Sequence, residues 1–210
     1  NGNYTLTYIS ADLTVGAKTV TVTAAAKSKT YGDADPALTY TFAPALVGTD
    51  TFTGSLTRSP GENVGTYSIN QGTLAINGNY TLTYITADLT IGAKTVTVTA
   101  AAKSKTYGDA DPALTYTFAP ALVGTDTFNG DLTRSPGENV GTYAINQGTL
   151  ALNGNYTLTY ISADLTIGAK TVTVTAAAKS KTYGDADPAL TYTFAPALVG
   201  TDTFNGDLKR

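Results

Sequence analysis

Threonine alternates with apolar side chains along most of the chain. The alternation is plainest at residues 19–23, 38–42 and 80–84, where Val, Leu, Tyr or Phe takes every second position. A period of two is typical of a β-strand with one buried and one wet face. No segment places apolar residues three and four positions apart over a helical length. The pattern therefore predicts an all-β protein.

The same pattern returns every 76 residues. Residues 17–92 and 93–168 differ at five positions only: Thr53/Asn129, Ser55/Asp131, Ser68/Ala144, Ile76/Leu152 and Thr86/Ser162. Fixed-period similarity indicates a tandem array. We therefore predict four segments, which are the C-terminal part of a preceding repeat (1–16), two full β repeats (17–92 and 93–168) and the N-terminal part of a following repeat (169–210).

Each copy is predicted to be a small β-sandwich-like module, with a β-grasp-like sheet and one short helical turn as the alternative. Strands are expected near 18–24, 27–31, 38–42, 51–57, 65–69, 73–76, 79–85 and 88–91. Asn77-Gly78 is typical of a hairpin turn, so residues 65–85 are interpreted as a three-stranded meander. Residues 43–48 form a connection that could hold the helical turn. Because alternate side chains of a strand face the same side, the apolar member of each alternation is assigned to the core. These residues are Val20, Val22, Leu38, Tyr40, Phe42, Phe52, Leu56, Tyr67, Ile69, Leu74, Ile76, Tyr80, Leu82, Tyr84, Leu89 and Ile91.

The connection between consecutive copies is very short. Only Gly92 and Ala93 separate the last predicted strand of one copy from the first strand of the next. The chain contains no Pro-rich or Gly/Ser-rich linker, which is the composition that would let modules move freely. We therefore expect an extended, stiff rod.

Composition narrows the possible functions. The chain has no Cys, His, Trp or Met, so it lacks thiolate and imidazole metal ligands and a Ser-His-Asp triad. A net charge of −3 without a basic cluster disfavours nucleic-acid binding. The apolar runs are too short for this segment to insert in a membrane. Because there is no initiator Met and both ends fall inside a repeat, we expect a window from a longer polypeptide.

Four stretches of the repeat resemble the MBG (mostly beta, glycine-rich) repeats of large bacterial surface adhesins and filamentous-haemagglutinin-like exoproteins. They are KTYGDADPAL at 29–38, FTGSLTR at 52–58, GENVGTY at 61–67 and NYTL at 79–82. The resemblance covers the whole copy. It implies β-rich stalk modules of a secreted or surface-attached bacterial protein, and it brings no catalytic residues.

One acidic loop is a candidate calcium site. Two aspartates, one residue apart, follow a Tyr-Gly turn in every copy, and Ca²⁺ binds such oxygen ligands. The candidates are Asp33, Asp35, Asp109, Asp111, Asp185 and Asp187. The competing interpretation is that these carboxylates cap their own turn. We favour that interpretation and predict no cofactor.

Three further hypotheses concern polar and aromatic side chains. Lys18 could form an isopeptide crosslink with Asn63 or Asn79, promoted by a buried Glu62, although solvated surface groups explain these residues more simply. Tyr31, beside a glycine turn, could offer a platform for sugars. Asp50 and Glu62 could be paired glycosidase carboxylates, but nothing in their context singles them out, and we predict no enzyme.

The function expected from these observations is a stiff spacer in a bacterial surface stalk or extracellular fibre, such as an adhesin or a biofilm matrix protein. Its partners would be neighbouring repeats and, in a fibre, identical chains. The alternative is a multivalent module that binds a glycan or host protein weakly through each copy. A minor alternative is a self-assembling filament, although residues 169–210 and 1–16 together fall 18 residues short of one copy.

Overall fold

The computed structural model describes residues 2–209 and confirms an all-β chain. Sixteen strands are found in this range, together with turns and bends, and none of its residues is helical. Consequently, no helix among residues 2–209 has the length and apolarity needed to cross a membrane. The strands form several small sheets that recur with the sequence period. The helical turn considered for residues 43–48 is therefore wrong; the segment contains a turn in which Asp50 N donates to Val47 O.

The chain divides into two compact units. The first contains the residues up to Lys94 together with Gly154–Thr157, and the second contains Thr95–Asn153 together with the residues from Leu158 onwards. These units come from spatial contacts, whereas the four repeat segments come from sequence alone. The repeat boundaries therefore stay a prediction.

The first unit contains two sheets. Its strands are β1 (Lys18–Ala24), β2 (Lys27–Thr30), β3 (Tyr40–Ala43), β4 (Thr57–Arg58), β5 (Gly65–Asn70), β6 (Tyr80–Ile85) and β7 (Ala87–Gly92). In one sheet, β1 lies between antiparallel β3 and parallel β6. The other sheet has the order β2-β7-β5-β4, with β2 parallel to β7.

The core of the first unit takes side chains from both sheets. Val22 of β1, Ile69 of β5 and Leu89 of β7 are fully buried in one cluster with Leu74. Alternation along each strand directs these residues inward and the threonines outward. Two sheets that share one core make the small two-layer module that the sequence predicted.

Most of the predicted core is confirmed. Buried positions are Val20, Val22, Leu56, Ile69, Leu74, Tyr80, Leu89 and Ile91, and seven others are half-buried. Phe42 differs, because it lies at the margin of the three-stranded sheet and is 43 % exposed. Its ring packs edge-on against Phe52, with centroids 5.1 Å apart.

The predicted meander and its hairpin are wrong. β6 pairs with β1, and β5 pairs with β4 and β7. Asn77 has no positive φ; its Oδ1 accepts a bond from Asn79 N and its amide donates to Asp50. An Asx turn therefore replaces the hairpin turn, and it sends the chain across to the other sheet.

Two predicted strands are much shorter than expected. Of the segment 51–57, only Thr57 belongs to a strand, β4, and Thr53 makes an isolated bridge to Ala75. That bridge is also all that remains of the segment 73–76. Glycine explains part of this, because Gly54 and Gly72 have positive φ and interrupt extended backbone.

The second unit repeats these sheets. Its strands are β8 (Lys94–Ala100), β9 (Lys103–Thr106), β10 (Tyr116–Ala119), β11 (Thr133–Arg134), β12 (Gly141–Asn146), β13 (Tyr156–Ile161), β14 (Ala163–Gly168), β15 (Thr173–Ala176) and β16 (Tyr192–Ala195). The first residue of β8 and the first two residues of β13 belong to the first unit. Their orders are β10-β8-β13 and β11-β12-β14-β9, and β15 pairs with β16 alone. Val96, Val98, Ile145, Leu165 and Ile167 are buried as their counterparts are in the first unit.

Removal of one core side chain should destabilise the first unit specifically. Leu89→Ala deletes a fully buried side chain and should lower the free energy of unfolding by about 2–5 kcal/mol through lost burial and a residual cavity. Thr90→Ala, at the exposed neighbouring position, should change it by less than about 0.5 kcal/mol. Urea unfolding followed by hydrogen exchange in residues 18–92 measures both. Equal effects of the two variants would contradict the assigned core.

Candidate functional site

Four charged side chains meet on the surface of the first unit. Lys29 of β2, Asp35 of the following loop, Arg58 at the end of β4 and Glu62 of the next turn form what we call the charge cluster. Lys29 Nζ lies 2.7 Å from Asp35 Oδ1 and 2.5 Å from Glu62 Oε2. Arg58 Nε lies 2.6 Å from Asp35 Oδ2, and its Nη2 donates to Glu62 Oε1. Each cation therefore contacts both anions.

The aromatic ring of Tyr67 supports this arrangement. Arg58 Cζ lies 5.6 Å from the ring centroid, a distance at which cation–π attraction acts. Arg58 Nη1 also donates to the carbonyl oxygens of Ser59 and Gly61. A Cβ on Gly61 would lie 2.1 Å from the Tyr67 ring, at a φ of +138°. The turn therefore requires glycine, both for its backbone conformation and for the space beneath the ring.

The two cations are covered, whereas the anions are more open. The Lys29 and Arg58 side chains are 4 % and 12 % exposed, and those of Asp35 and Glu62 are 41 % and 64 % exposed. Packing of the long aliphatic stems accounts for this difference. The cluster consequently joins β2 and β4, the two edge strands of the four-stranded sheet.

Mutual hydrogen bonding keeps all four groups charged. Bonds from Arg58 and then from Lys29 lower the pKa of Asp35, and bonds from the same two cations lower the pKa of Glu62. The bonds to Asp35 and Glu62 raise the pKa of Lys29. Carboxylates with a lowered pKa are poor proton donors near neutrality, so the cluster is suited to holding structure together.

The cluster recurs in the second copy. Lys105 Nζ lies 2.6 Å from Asp111 and 2.5 Å from Glu138, and Arg134 bonds both carboxylates. Its pKa shifts have the same directions and causes. In the third copy, Lys181 Nζ lies 2.6 Å from Asp187, but the lysine side chain is 36 % exposed. The burial of this lysine therefore differs among copies of one sequence.

The aspartates proposed to bind calcium have different surroundings. Asp35, Asp111 and Asp187 contact lysine ammonium groups. At the other position the backbone N–H closes the turn, donating to the carbonyl of the residue three positions earlier, in Asp33, Asp109 and Asp185. Among residues 2–209 no three His, Cys, Asp or Glu side chains group as metal ligands would. The absence of a cofactor stays a prediction, with calcium binding at this loop as its alternative.

Of the proposed crosslink partners, Lys18 and Asn79 meet through their backbones, where Lys18 N donates to Asn79 O at 2.9 Å. Lys18 Nζ donates to Ala45 O at 2.8 Å, whereas Glu62 bonds a different lysine, Lys29. The proposed carboxylate pair has separate bonds as well, since Asp50 accepts from the Tyr80 hydroxyl and from the Asn77 amide. Asp50 thus holds Tyr80, whose hydroxyl also accepts from Val47 N at 2.7 Å.

Tyr31, the proposed sugar platform, is half-buried and has an aromatic partner. Its ring packs edge-on against Tyr156, with centroids 5.4 Å apart, within the first unit. Next to it, Asn155 Oδ1 accepts from Val64 N at 2.9 Å, and its amide donates to Asn63 Oδ1 at 3.0 Å. The contact with Tyr156 favours a packing role for Tyr31.

Sequence reasoning missed Lys29 and Arg58, the two cations of the charge cluster. One signal was present, because Arg58 and Glu62 are four residues apart around a Pro-Gly turn. The Lys29–Glu62 bond, which spans 33 residues, leaves no local pattern. Only the pairing of β2 with β7 and of β4 with β5 brings these side chains to one surface.

Comparison with protein-family models relates the whole repeat to one family. The model described as MBG domain (YGX type) matches residues 20–90, 96–166 and 172–210. Domains of this kind are found in surface adhesin-like proteins. Comparisons with curated proteins and with solved structures yielded no match.

The charge cluster should make the folding stability depend on pH in the acidic range. Because the pKa values of Asp35 and Glu62 are lowered by folding, their contribution is present above their unfolded-state pKa of about 4 and is lost as pH falls through the folded values. The raised pKa of Lys29 gives a contribution that is lost only as pH rises above about 10.4. The double variant Asp35→Asn, Asp111→Asn should therefore show a shallower fall of Tm below about pH 4.

Calorimetry across this pH range measures the slope, and Asp33→Asn, Asp109→Asn serves as the matched control. The control removes the same number of carboxylates from the same loops but leaves the ion pairs intact. If both double variants lose acid sensitivity equally, the cluster is not its source.

Proposed function

The chain belongs to the MBG domain family of the YGX type, and on that basis we propose that it is a structural segment of a bacterial adhesin or extracellular fibre. In this role it acts as a stiff spacer in a secreted or cell-surface protein. Its partners are the neighbouring repeats and, in a fibre, identical chains. The mechanism is mechanical, because many small modules in series set the reach and stiffness of a stalk.

The observation that carries this proposal is the length of the connector. β7 ends at Gly92 and β8 begins at Lys94, so Ala93 alone lies between two strands. Strand backbone is fixed by its ladder hydrogen bonds, and a single intervening residue contributes only two free dihedral angles. A connector this short supports a stiff array, whereas a flexible tether needs many unpaired residues.

Contacts between different sequence copies add support. Within the first unit, Tyr156 packs on Tyr31 and Lys94 N donates to Asn155 O at 3.0 Å. Within the second unit, the Tyr107 hydroxyl donates to Asp202 Oδ2 at 2.9 Å. Aromatic and polar contacts of this kind hold residues of neighbouring sequence copies together within each unit.

The same geometry supports a role without catalysis. The carboxylates of the charge cluster are neutralised by Lys29 and Arg58, and their lowered pKa values disfavour proton transfer at neutral pH. Asp50 is occupied by Tyr80 and Asn77. We therefore propose that the repeats are neither hydrolases nor cofactor proteins.

A multivalent binding module is the second candidate, and one observation favours it. The positions Thr53/Asn129 and Ser55/Asp131 differ between copies and are all exposed. Two variable polar positions on one surface could select different glycans or host proteins, and an array would add avidity.

The spacer proposal predicts how size grows with copy number. In small-angle scattering of arrays with increasing numbers of copies, the maximum dimension should increase by a constant step while the cross-sectional radius stays unchanged. The matched control is the insertion of a Gly/Ser linker of about ten residues after Gly92. This insertion should reduce the persistence length of the array. A cross-section that grows with copy number would contradict the spacer.

The binding alternative predicts that a ligand binds the surface that carries the exposed variable positions Thr53/Asn129 and Ser55/Asp131. The 210-residue chain should then bind members of a glycan array or of a panel of host matrix proteins. The double variant Asn129→Thr, Asp131→Ser, which gives the second copy the residues of the first at these two positions, should alter which of them bind. If no glycan or protein binds and the scattering is that of a rod, the spacer function alone is favoured.

A further inference from the structure

Each compact unit contains contacts between two different sequence copies. In the first unit, the Tyr31 ring packs against Tyr156 with an angle of 81° between the two rings. Beside this pair, Asn155 Oδ1 accepts from Val64 N, and its amide donates to Asn63 Oδ1. The tyrosine at 31 and the turn at 63–64 belong to the first copy, whereas the Asn-Tyr pair belongs to the second. One copy therefore contacts the next through two of its turns.

The second unit contains a related contact one repeat further along the chain. Tyr107, the counterpart of Tyr31, donates its hydroxyl hydrogen to Asp202 Oδ2 at 2.9 Å. This bond and then burial raise the pKa of the Tyr107 phenol, as expected when the neutral hydroxyl is the donor. Gly108 approaches the same partner copy, because a Cβ at this glycine would collide with Val199 Cγ2. The Tyr-Gly pair of the second copy thus contacts a valine and an aspartate of the third.

The partners of the two tyrosines belong to one surface of a copy. They are a valine, an aspartate and a tyrosine, whose counterparts in the first copy are Val47, Asp50 and Tyr80. The Tyr80 hydroxyl donates to Asp50 Oδ2 at 2.8 Å and accepts from Val47 N at 2.7 Å. We call these three residues and their counterparts the acceptor surface. A carboxylate oxygen accepts more than one hydrogen bond, so the aspartate has capacity for its own tyrosine and for that of the preceding copy.

The charge cluster holds the two contacting turns of a copy in place. These turns are Tyr31-Gly32 and Asn63-Val64 in the first copy, and we call them and their counterparts the docking turns. Lys29 lies just before the first docking turn, and Glu62 lies just before the second. Lys29 Nζ bonds Glu62 Oε2 at 2.5 Å and also donates to Asp33 O at 3.1 Å. One ammonium group therefore ties both docking turns together.

The Tyr-Gly pair also shapes its own turn, but that role does not account for the tyrosine side chain. Asp109 N donates to Thr106 O at 3.0 Å, and Tyr107 N donates to Gly168 O at 2.8 Å. These bonds use backbone atoms only, so any residue other than proline makes them. The Tyr107 hydroxyl, by contrast, bonds a residue 95 positions away. The neighbouring copy therefore explains the choice of tyrosine.

We propose that the docking turns of each copy bind the acceptor surface of the copy that follows it, and that the Tyr-Gly pair supplies the specific contacts of this joint. The ring packs on the acceptor tyrosine, the hydroxyl donates to the acceptor aspartate, and the glycine leaves room for the acceptor valine. The partner is a second copy of the same sequence. This inference rests on the proposed spacer function and names the side chains that couple its modules.

A distance measurement in the full chain tests the joint. Because the chain contains no Cys, the substitutions Thr142→Cys and Thr193→Cys provide unique sites for two spin labels. Both positions are exposed, one on β12 of the second copy and one on β16 of the third, and both belong to the second unit. Double electron–electron resonance should then give a single narrow distance distribution, because the joint fixes the two copies.

Substitution of the glycine should open the joint, and a smaller valine should close it again. Gly108→Ala should broaden the distance distribution through its collision with Val199. The matched control is Gly124→Ala, since Gly124 also has a positive φ but nothing lies within 4 Å of its added Cβ. Val199→Ala removes the two methyl groups in the way, so the double variant Gly108→Ala, Val199→Ala should narrow the distribution. Equal broadening by the two glycine variants, or no rescue, would overturn the proposal.

Removal of the hydroxyl tests the joint without changing the backbone. Tyr107→Phe should increase the undocked fraction about two- to tenfold, the range for loss of one hydrogen bond. Asp202→Ala removes the same bond, so the double variant should add little to either single variant. The control Tyr143→Phe loses a bond within its own copy, to Asn139 O, and should leave the distances unchanged. Fully additive effects of Tyr107→Phe and Asp202→Ala would also overturn the proposal.

Small-angle scattering distinguishes failure of the joint from failure of the spacer function. Arrays in which the Tyr-Gly glycine of every copy is replaced, as in Gly32→Ala and Gly108→Ala, should have a shorter persistence length than unchanged arrays. If both arrays scatter as equally stiff rods, the spacer stands and the joint is overturned. If the unchanged array is flexible although Val199→Ala rescues Gly108→Ala, the joint stands and the spacer is overturned.

Discussion

The structure depends on parallel pairing between the beginning and the end of each copy. β1 pairs with β6, and β2 pairs with β7, across about sixty residues of sequence. These two contacts place Val20, Val22, Leu89 and Ile91 in the interior. Parallel pairs need a long crossover, and they contribute no stabilisation until the intervening loop has closed. A copy therefore gains its core only when both of its ends are present.

The charge cluster acts on the weakest part of that design, which is the edge of the four-stranded sheet. β2 and β4 are the edge strands, and Lys29 and Arg58 extend from them towards shared carboxylates. Charged residues on an edge discourage pairing with foreign strands. Because each cation bonds both anions, loss of one group leaves the others partly paired. This redundancy suits a module that recurs along the chain.

Sequence periodicity was sufficient to predict where strands such as β1 lie, but it did not predict which strands pair with one another. Alternation identified β1 to the residue and placed Val20 and Val22 correctly, because the side-chain period of a strand is a local property. Asn77-Gly78 misled, since its preference for a hairpin is also local, and the bond from Asn77 to Asp50 redirects the chain instead. The charge cluster was beyond prediction for the same reason. Its members are adjacent only after nonlocal pairing has formed.

Near-identity of the copies means that side chains alone cannot specify which copy supplies β6 and β7. Residues 80–92 and 156–168 differ only at Thr86 and Ser162, so either segment would fit either copy. Proximity along the chain must therefore determine which strands pair. A partner on the same chain acts at an effective concentration of order millimolar, so a complete copy closes on its own strands before a second chain can compete.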